Sequence, residues 1–153
     1  MSNPIPATVR PLRAEDQDAW RKLWAAYLAF YGSRVSDDIY TGTFDRLLGD
    51  DARDHSCLIA EVDGVPVGLA HYLFHRHAWK HGDVCYLQDL YAAPDVRGRG
   101  VGRALIEAVY AAADAQGAED TYWMTQKDNA TARQLYDRIG QKTPFIKYAR
   151  RAA

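Results

Sequence analysis

The stretch LQDLYAAPDVRGRGVGRAL, Leu87–Leu105, joins an apolar run to an apolar helix start through a short turn rich in glycine and arginine. The run before Pro94 predicts a strand, and the pattern after Gly102 predicts a helix. At such a junction, backbone N–H groups and the positive end of the helix point toward one place. Glycine leaves that approach open, and guanidinium matches phosphate oxygens in a two-pronged geometry. The stretch therefore predicts an anion-binding turn for phosphate or pyrophosphate, made by Arg97, Gly98, Arg99, Gly100, Val101, Gly102 and Arg103.

Two familiar phosphate-binding motifs do not fit this turn. The Lys-Ser/Thr ending of a nucleotide-triphosphate loop is absent. A dinucleotide-binding turn would be followed by an acidic ribose partner about 20 residues on, after a second parallel strand. An isolated glycine-rich turn can also serve only to pack tightly, without any ligand. The order of the surrounding elements is therefore needed to choose between ligand binding and packing.

Outward from the turn, the periodicity predicts a mixed α/β chain. Asp63-Gly64 between two apolar runs predicts a tight hairpin turn. Ser36 and Asn129 each stand at the start of a predicted helix, where they are suitable N-caps. The predicted order is strand, two helices, three strands, helix, strand, helix and strand, carried in turn by TVRPL, RAEDQDAWRKLWAAYLAFYG, SDDIYTGTFDRLLGD, CLIAEV, VPVGLAHYLFH, VCYLQDLYA, GRALIEAVYAAADAQG, DTYWMTQ, NATARQLYDRIG and PFIKYAR.

Composition limits the functional classes. With 153 residues, 48% of them hydrophobic, residues 1–153 are expected to form a single domain. A net charge of -1 provides no overall field for nucleic acid or an anionic membrane surface. No leader pattern or long apolar run is evident, so a cytoplasmic protein is expected.

Cys57 and Cys85 lie in predicted strands and are interpreted as buried free thiols rather than a disulfide.

The decisive stretch resembles a known family. RGRGVG fits the (Arg/Gln)-x-x-Gly-x-(Gly/Ala) signature of the Gcn5-related N-acetyltransferases (GNAT), in which this loop binds the pyrophosphate of acetyl-coenzyme A (acetyl-CoA). LQDLYAAPDVRGRGVGRAL looks like the family's fourth strand, loop and third helix, and NATARQLYDRIG looks like its later helix with a tyrosine seven residues after the asparagine. The resemblance implies a mostly antiparallel sheet flanked by helices and splayed between strands 4 and 5. It also implies an acetyl-CoA-dependent N-acetyltransferase.

By the same resemblance, cofactor and catalytic roles fall on particular residues. The backbone of Leu90, Tyr91 and Ala92 is implied to hold the pantetheine and the thioester oxygen, and Asn129 to contact the cofactor. Tyr136 is implied to be the general acid that protonates the leaving thiolate; a tyrosine of the helix core is the alternative. Gln88 departs from the family, since many relatives have a glutamate there that accepts the amine's proton.

The proton acceptor is therefore open at this point. An amide cannot be a general base, and the neighbouring Asp89 faces the other side of a regular strand unless a bulge rotates it. Ordered water or an amine already neutral in solution are further alternatives. Gln88 and Asp89 are both assigned to the acceptor side of the site. The resemblance implies that Phe30 and Tyr31, at the end of the first helix, border the substrate mouth, where their rings can hold a cation.

Three functions fit the resemblance. The first is acetyl transfer to the primary amine of a small molecule, such as an amino acid, directly within a ternary complex. The alternatives are a histone or protein lysine N-acetyltransferase and a non-catalytic acetyl-CoA sensor, which Gln88 would favour. A homodimer is suggested by the family's closing strands. His71, His75, His77 and His81 raise the question of a metal, but no third ligand of convincing spacing follows, so no metal site is predicted.

Overall fold

The computed structural model describes residues 3–152, which group into two compact units that meet in the sequence after Trp123. The first unit holds a five-stranded sheet and three helices: β1 (Thr8–Pro11), α1 (Gln17–Phe30), α2 (Asp37–Leu47), β2 (Ser56–Val62), β3 (Val65–His75), β4 (Val84–Ala92), α3 (Val101–Gln116) and β5 (Thr121–Tyr122). The second unit holds α4 (Ala130–Ile139). A mixed α/β chain is what the sequence pattern predicts.

The sheet has the order β1-β2-β3-β4-β5, with antiparallel neighbours except for the parallel pair β4 and β5. Strands β2 and β3 are joined by Asp63 and Gly64, whose φ angles are 51° and 76°. Positive φ at both central residues is the geometry of a type I′ hairpin turn, which matches the twist of the flanking strands. The predicted hairpin and the mostly antiparallel sheet are confirmed.

Helices cover both faces of this sheet. Gly68 lies under Val101 and Leu105 of α3, whereas the next residue, Leu69, packs in a cluster with residues of α1 and α2. Because side chains alternate along a strand, α3 lies on the opposite face from α1 and α2. The second cluster is aromatic, and burial of each large side chain in it contributes roughly 1.5–3 kcal/mol. Its buried members are Trp20, Leu23, Trp24, Tyr40, Phe44, Cys57, Ile59, Leu69 and Tyr91.

Strand β4 is irregular at two places that matter for function. His71 of β3 pairs with Asp89, but the next residue, Tyr72, pairs with Leu87, so Gln88 is the extra residue of a β-bulge. On its other side, β4 pairs with β5 only at Cys85 and Tyr86. From Leu87 to Ala92, β4 has no β5 partner among residues 3–152. Pairing of β4 with β5 therefore ends two residues before the bulge residue Gln88, which is consistent with the predicted separation of strands 4 and 5.

The second unit, from Met124 onward, differs from the prediction at its end. The expected strand PFIKYAR is not formed, because residues 141–152 pair with no strand in the described part of the chain. Phe145, Ile146 and Tyr148 are 82%, 76% and 87% exposed. Alternating apolar residues make a strand favourable, but only a neighbouring strand satisfies its backbone groups. The predicted strand DTYWMTQ likewise shrinks to Thr121–Tyr122.

The two predicted N-caps occupy the right positions but do not cap with their side chains. Ser36 precedes α2 and its hydroxyl contacts the Asp38 carboxylate. Asn129 precedes α4 and its amide donates to Thr125 Oγ1 at 3.1 Å. Neither side chain accepts a hydrogen bond from a helix N–H. The predicted positions are therefore right for both residues, but the predicted capping hydrogen bonds are not formed.

Both cysteines are buried free thiols, as predicted. Burial raises the pKa of the Cys57 thiol above its ordinary value, and it raises that of Cys85 to about 11. A thiol in this state is a poor nucleophile. Of the helices within residues 3–152, none combines the length and the apolar character required to cross a membrane.

Candidate active site

The glycine-arginine turn has the backbone geometry of an anion-binding site. Gly98 and Gly100 have φ angles of 73° and 92°, in the left-handed region that other residues rarely adopt. A Cβ built on either glycine would meet no atom within 4 Å, so one face of the loop is open. Gly100 is the N-cap of α3, and no side chain caps this helix. The first N–H groups of α3 are therefore available to a ligand.

The three arginines of the turn have different surroundings. Arg97 donates from Nε to the carbonyl of Ala92 at 2.9 Å, and its guanidinium lies over the rings of Phe30 and Tyr91 at 5.7 and 5.4 Å. Arg99 donates from Nε to the carbonyl of Asn3 at 3.1 Å. Arg103 pairs with Glu107 one helical turn on at 2.8 Å. Arg97 is thus fixed between β4 and the end of α1, whereas Arg103 is partly neutralised at the surface.

The end of β4 presents one free backbone edge. Leu90, Tyr91 and Ala92 pair with Ala70, Leu69 and Gly68 of β3. The edge that faces away from β3 has no β5 partner at these positions in the described chain. Alternate N–H and C=O groups on that edge can bind an extended ligand as a further strand would.

A row of aromatic rings leads from the turn toward the middle of β4. Phe30 contacts Tyr31 at 5.0 Å between ring centroids, and Tyr31 contacts Tyr27 at 5.1 Å. Phe30 is 55% exposed and lies beside Arg97, so α1 ends next to the glycine-arginine turn. The structure thus brings the sequence-predicted Phe30 and Tyr31 to the same end of β4 as the turn.

Asp89 is the only charged residue of β4, and it is buried at 7% exposure. It accepts hydrogen bonds from His71 Nδ1 at 2.8 Å and from Trp24 Nε1 at 3.1 Å, and a third from the Tyr27 hydroxyl. Burial alone would raise the pKa of this carboxyl, but these donors, with His71 first, hold it below the ordinary value. Asp89 is therefore an ionised carboxylate inside the fold.

His71 is neutral in this network. Its Nε2 faces the indole Nε1 of Trp20 at 2.9 Å, and an indole N–H can only donate. Nε2 must therefore carry a lone pair, and the single ring proton is on Nδ1, where it is donated to Asp89. No lysine or arginine within residues 3–152 forms an ion pair with Asp89. Only neutral hydrogen-bond donors stabilise the charge of this carboxylate.

Gln88 is exposed, and its Oε1 contacts His55 Nε2. The bulge that contains Gln88 is the irregularity that the sequence left open, but it does not release Asp89 toward solvent. The three donors to Asp89 belong to α1 and β3 and hold it in the buried network. Burial and the Asp89 charge raise the pKa of Tyr27, which keeps this hydroxyl protonated as one of those donors.

Sequence reasoning missed His71, Trp24 and Tyr27 as partners of Asp89. His71 enters the sequence analysis only as a possible metal ligand, and no role is predicted there for Trp24 or Tyr27. The spacing of Trp20, Trp24 and Tyr27 placed them on one helix face, but their facing strand residues are fixed only by the pairing of β3 with β4. Three of the four histidines of this region have separate partners, since His71 contacts Asp89, the His75 ring contacts Tyr122 and His77 contacts Trp79.

Tyr136 and Asn129 lie in the second unit. Tyr136 is half-buried on α4, and its carbonyl accepts the N–H of Gly140 at 2.8 Å. Asn129 precedes the first turn of the same helix. Helix α4 has no fully buried residue. Their roles toward a cofactor stay predictions.

Comparisons with known proteins identify the family. The sequence model of the acetyltransferase (GNAT) family matches residues 14–141. The D-amino-acid N-acetyltransferase HPA3 of Saccharomyces cerevisiae is 36% identical over 143 residues, which cover 93% of this chain and 89% of the relative. The thialysine N-epsilon-acetyltransferase of Bos taurus is 31% identical over 94 residues, 56% of this chain and 55% of the relative.

The fold is shared with solved acetyltransferase structures. That of the aminoglycoside N-acetyltransferase AAC(6')-Iy in complex with CoA superposes with a TM-score of 0.82 at 22% identity, covering 100% of this chain and 99% of that one. Both the sequence relationship over most of the chain and the mostly antiparallel sheet with its parallel β4–β5 pair agree with this assignment. The chain belongs to the GNAT family and is an acetyl-CoA-dependent acetyltransferase.

Proposed function

We propose that this enzyme transfers the acetyl group of acetyl-CoA to the primary amine of a small molecule, with amino acids as the first acceptor class. The observation that carries the proposal is the 36% identity to a D-amino-acid N-acetyltransferase along 93% of the chain. The second curated relative is named for acetylation of thialysine, which is also a small amine. The transfer is direct, within a ternary complex of enzyme, acetyl-CoA and amine.

The glycine-arginine turn fits the pyrophosphate of the cofactor. The open glycines, the uncapped start of α3 and the guanidinium of Arg97 together favour an anion. The proposed contacts are those of Arg97, Gly98, Arg99, Gly100, Val101, Gly102 and Arg103 with the pyrophosphate, and of Asn129 with the cofactor. Bound acetyl-CoA supplies the activated thioester.

The edge of β4 suits the pantetheine and the thioester. An unpaired strand edge offers N–H donors to an amide-containing arm and to the thioester carbonyl. We assign these contacts to the backbone of Leu90, Tyr91 and Ala92. A donor directed at the carbonyl oxygen stabilises the negative charge that develops there during attack.

The side of the site that receives the acceptor amine carries a negative charge and aromatic rings. Asp89 carries a charge that no basic side chain of the described residues neutralises, and this favours a cationic ammonium nearby. The rings of Phe30 and Tyr31 offer faces over which such a cation is stabilised. Asp89 acts here through its field and through Tyr27, since it is buried and its Oδ2 already accepts from His71 and Trp24. Gln88 borders the same side.

The chemistry needs three events. The ammonium loses a proton, the neutral amine attacks the thioester carbonyl, and the C–S bond breaks as the thiolate leaves. We assign protonation of the thiolate to the hydroxyl of Tyr136. Homodimerisation, a cytoplasmic location and a single domain over residues 1–153 stay predictions of the sequence.

The test combines cofactor binding with turnover. Acetyl-CoA binding is measured by calorimetry, and free-thiol release is followed with D- and L-amino acids, polyamines and a basic histone-like peptide, for the wild type and Tyr136→Phe. We expect binding by both proteins, thiol release with at least one free amino acid, and a fall of about 100-fold in kcat for the variant. Release with the peptide alone would indicate a protein acetyltransferase, and binding without release would indicate a sensor.

A further inference from the structure

Removal of the proton from the amine has no obvious agent in this site. The bulge residue Gln88 is an amide, and Asp89 is buried, with His71 and Trp24 both donating to its Oδ2 and Tyr27 donating to the same carboxylate. Protonation of Asp89 would break hydrogen bonds that hold α1 to the sheet. A different pair of side chains, His75 on β3 and Tyr122 on β5, has the geometry for this task. The inference rests on the proposed acetyl transfer and deepens it.

Tyr122 lies where the sheet opens. Tyr86 and Tyr122 are the last paired residues of β4 and β5, and β4 continues beyond them without a β5 partner in the described chain. Their rings stack with centroids 4.7 Å apart and planes within 8°. Tyr86 precedes the bulge residue Gln88 by two positions on β4. Tyr122 therefore lies beside the point where β4 loses its outer partner, three residues before Asp89 along that strand.

His75 is oriented toward Tyr122 by a backbone carbonyl. Its Nδ1 lies 2.8 Å from the carbonyl oxygen of Arg76, which can only accept, so Nδ1 carries the ring proton. Nε2 then carries the lone pair and accepts the Tyr122 hydroxyl at 2.7 Å. An imidazole whose tautomer is fixed in this way presents its basic nitrogen to a defined partner, as in other general-base histidines.

The pair is also accessible, which distinguishes it from the buried His71. Both nitrogens of His71 are occupied, by Trp20 and by Asp89, and the residue is 2% exposed. Tyr122 is 39% exposed and His75 is half-buried, so a proton that reaches His75 can leave to solvent. Burial raises the pKa of Tyr122, with the nearby Tyr86 and Cys85 as smaller contributors, and the hydroxyl thus keeps its proton until another replaces it.

We propose that Tyr122 and His75 form a relay that takes the proton from the acceptor ammonium before attack. The N–H bond of the ammonium breaks as Tyr122 Oη takes the proton, while the hydroxyl proton passes from Oη to His75 Nε2. The tyrosine ends as it began, the amine becomes neutral, and His75 becomes an imidazolium whose Nδ1–H stays on the Arg76 carbonyl. The imidazolium then loses one proton to water, which restores the pair.

The test compares acceptors that need a base with one that does not. The kcat of acetyl transfer is measured with the best amino acid of the panel and with hydroxylamine, which is uncharged at neutral pH. The proteins are the wild type, His75→Ala, Tyr122→Phe, the double variant, and His81→Ala as the matched control on the exposed loop between β3 and β4. Acetyl-CoA affinity, measured by calorimetry on each, shows that the variants are folded.

We expect kcat with the amino acid to fall about 100-fold in either single variant, with no further fall in the double variant because the two groups act as a unit. With hydroxylamine, kcat should stay within about twofold of the wild type, a result that a purely structural role would not give. If His75→Ala does not fold, Tyr122→Phe decides, since it keeps the ring stacked on Tyr86.

Full turnover of the amino acid by Tyr122→Phe, or equal losses with both acceptors, would overturn the relay and leave the proposed function standing. Absence of turnover by the wild type with every amine, despite acetyl-CoA binding, would overturn the proposed function and the relay with it. The two failures are therefore distinguishable in the same set of assays.

Discussion

Asp16 and Asp89 are carboxylates of equal burial, each 7% exposed, with opposite electrostatic surroundings. Asp16 receives both Nη atoms of Arg10 at 2.8 and 2.9 Å and the N–H of Arg13 at 2.7 Å. Asp89 receives only neutral donors. The first carboxylate is neutralised within the structure, whereas the second leaves a net negative charge in the protein. Buried charges are ordinarily paired, so the unpaired one marks the region that receives a cation.

The Asp16 site has the features of a structural ion pair. Arg10 also binds Glu61 at 3.0 Å, so one guanidinium connects β1, β2 and the start of α1. The Arg10 hydrogen bond is the largest cause of the lowered pKa of Asp16. The Asp89 network instead extends from His71 through Asp89 to Tyr27, at the aromatic row beside the glycine-arginine turn.

The largest expected effect follows from breaking the Asp16 pair. Asp16→Asn removes the charge but keeps the shape, leaving Arg10 with Glu61 alone. We expect the free energy of unfolding in urea to fall by about 3 kcal/mol, while kcat/KM per folded molecule is unchanged. Asp51→Asn, which breaks the exposed pair with Arg53, is the control and should leave the free energy of unfolding nearly unchanged, because solvent screens that pair. A loss of activity in folded Asp16→Asn would contradict the structural interpretation.

A smaller effect, on kcat/KM for the amine, is expected from removing the Tyr27 hydroxyl, which connects Asp89 to the acceptor side of the site. Tyr27→Phe removes one donor from Asp89 without changing the ring. A hydrogen bond to a charged group contributes about 1.5–3 kcal/mol, so kcat/KM for the amine should fall roughly tenfold, at the lower end of that range. Acetyl-CoA affinity should not change. Tyr40→Phe, in the same aromatic cluster, should leave kcat/KM at the wild-type value; equal losses in both variants would remove the special role of Tyr27.

The smallest expected effect is on acid stability. The pKa of both carboxyls is lowered in the folded state from an ordinary value of 3.8, by Arg10 for Asp16 and by the His71 hydrogen bond, acting against burial, for Asp89. The unfolded chain therefore binds more protons, and the stabilisation, complete well above pH 3.8, is lost as the pH falls through the folded-state pKa values. Urea unfolding at a series of pH values should show a shallower acid loss for Asp16→Asn than for the wild type. An unchanged slope would contradict the assignment.

The elements of the fold were predictable where local patterns and pairing agree. The Asp63-Gly64 turn, the strand ending at Ala92 and the glycine-arginine turn each have a local physical cause. The C-terminal PFIKYAR pattern was misread because strand propensity does not supply a pairing partner. Of the site, the turn and the Phe30–Tyr31 end of α1 could be predicted, but the partners of Asp89 could not. His71 and Asp89 become neighbours only through the β3–β4 register, and the bulge at Gln88 shifts that register by one residue.

The central claim, that Asp89 provides the charge of the acceptor site and Asp16 does not, is tested most directly by kcat/KM for the amine in Asp89→Asn and Asp16→Asn. The kcat/KM of each variant is calculated per folded molecule, and the concentration of folded protein is measured by acetyl-CoA binding. The account predicts a fall of about 100-fold for Asp89→Asn, equivalent to about 2.7 kcal/mol, and no change for Asp16→Asn. Wild-type activity in Asp89→Asn, or equal losses in the two variants, would contradict it.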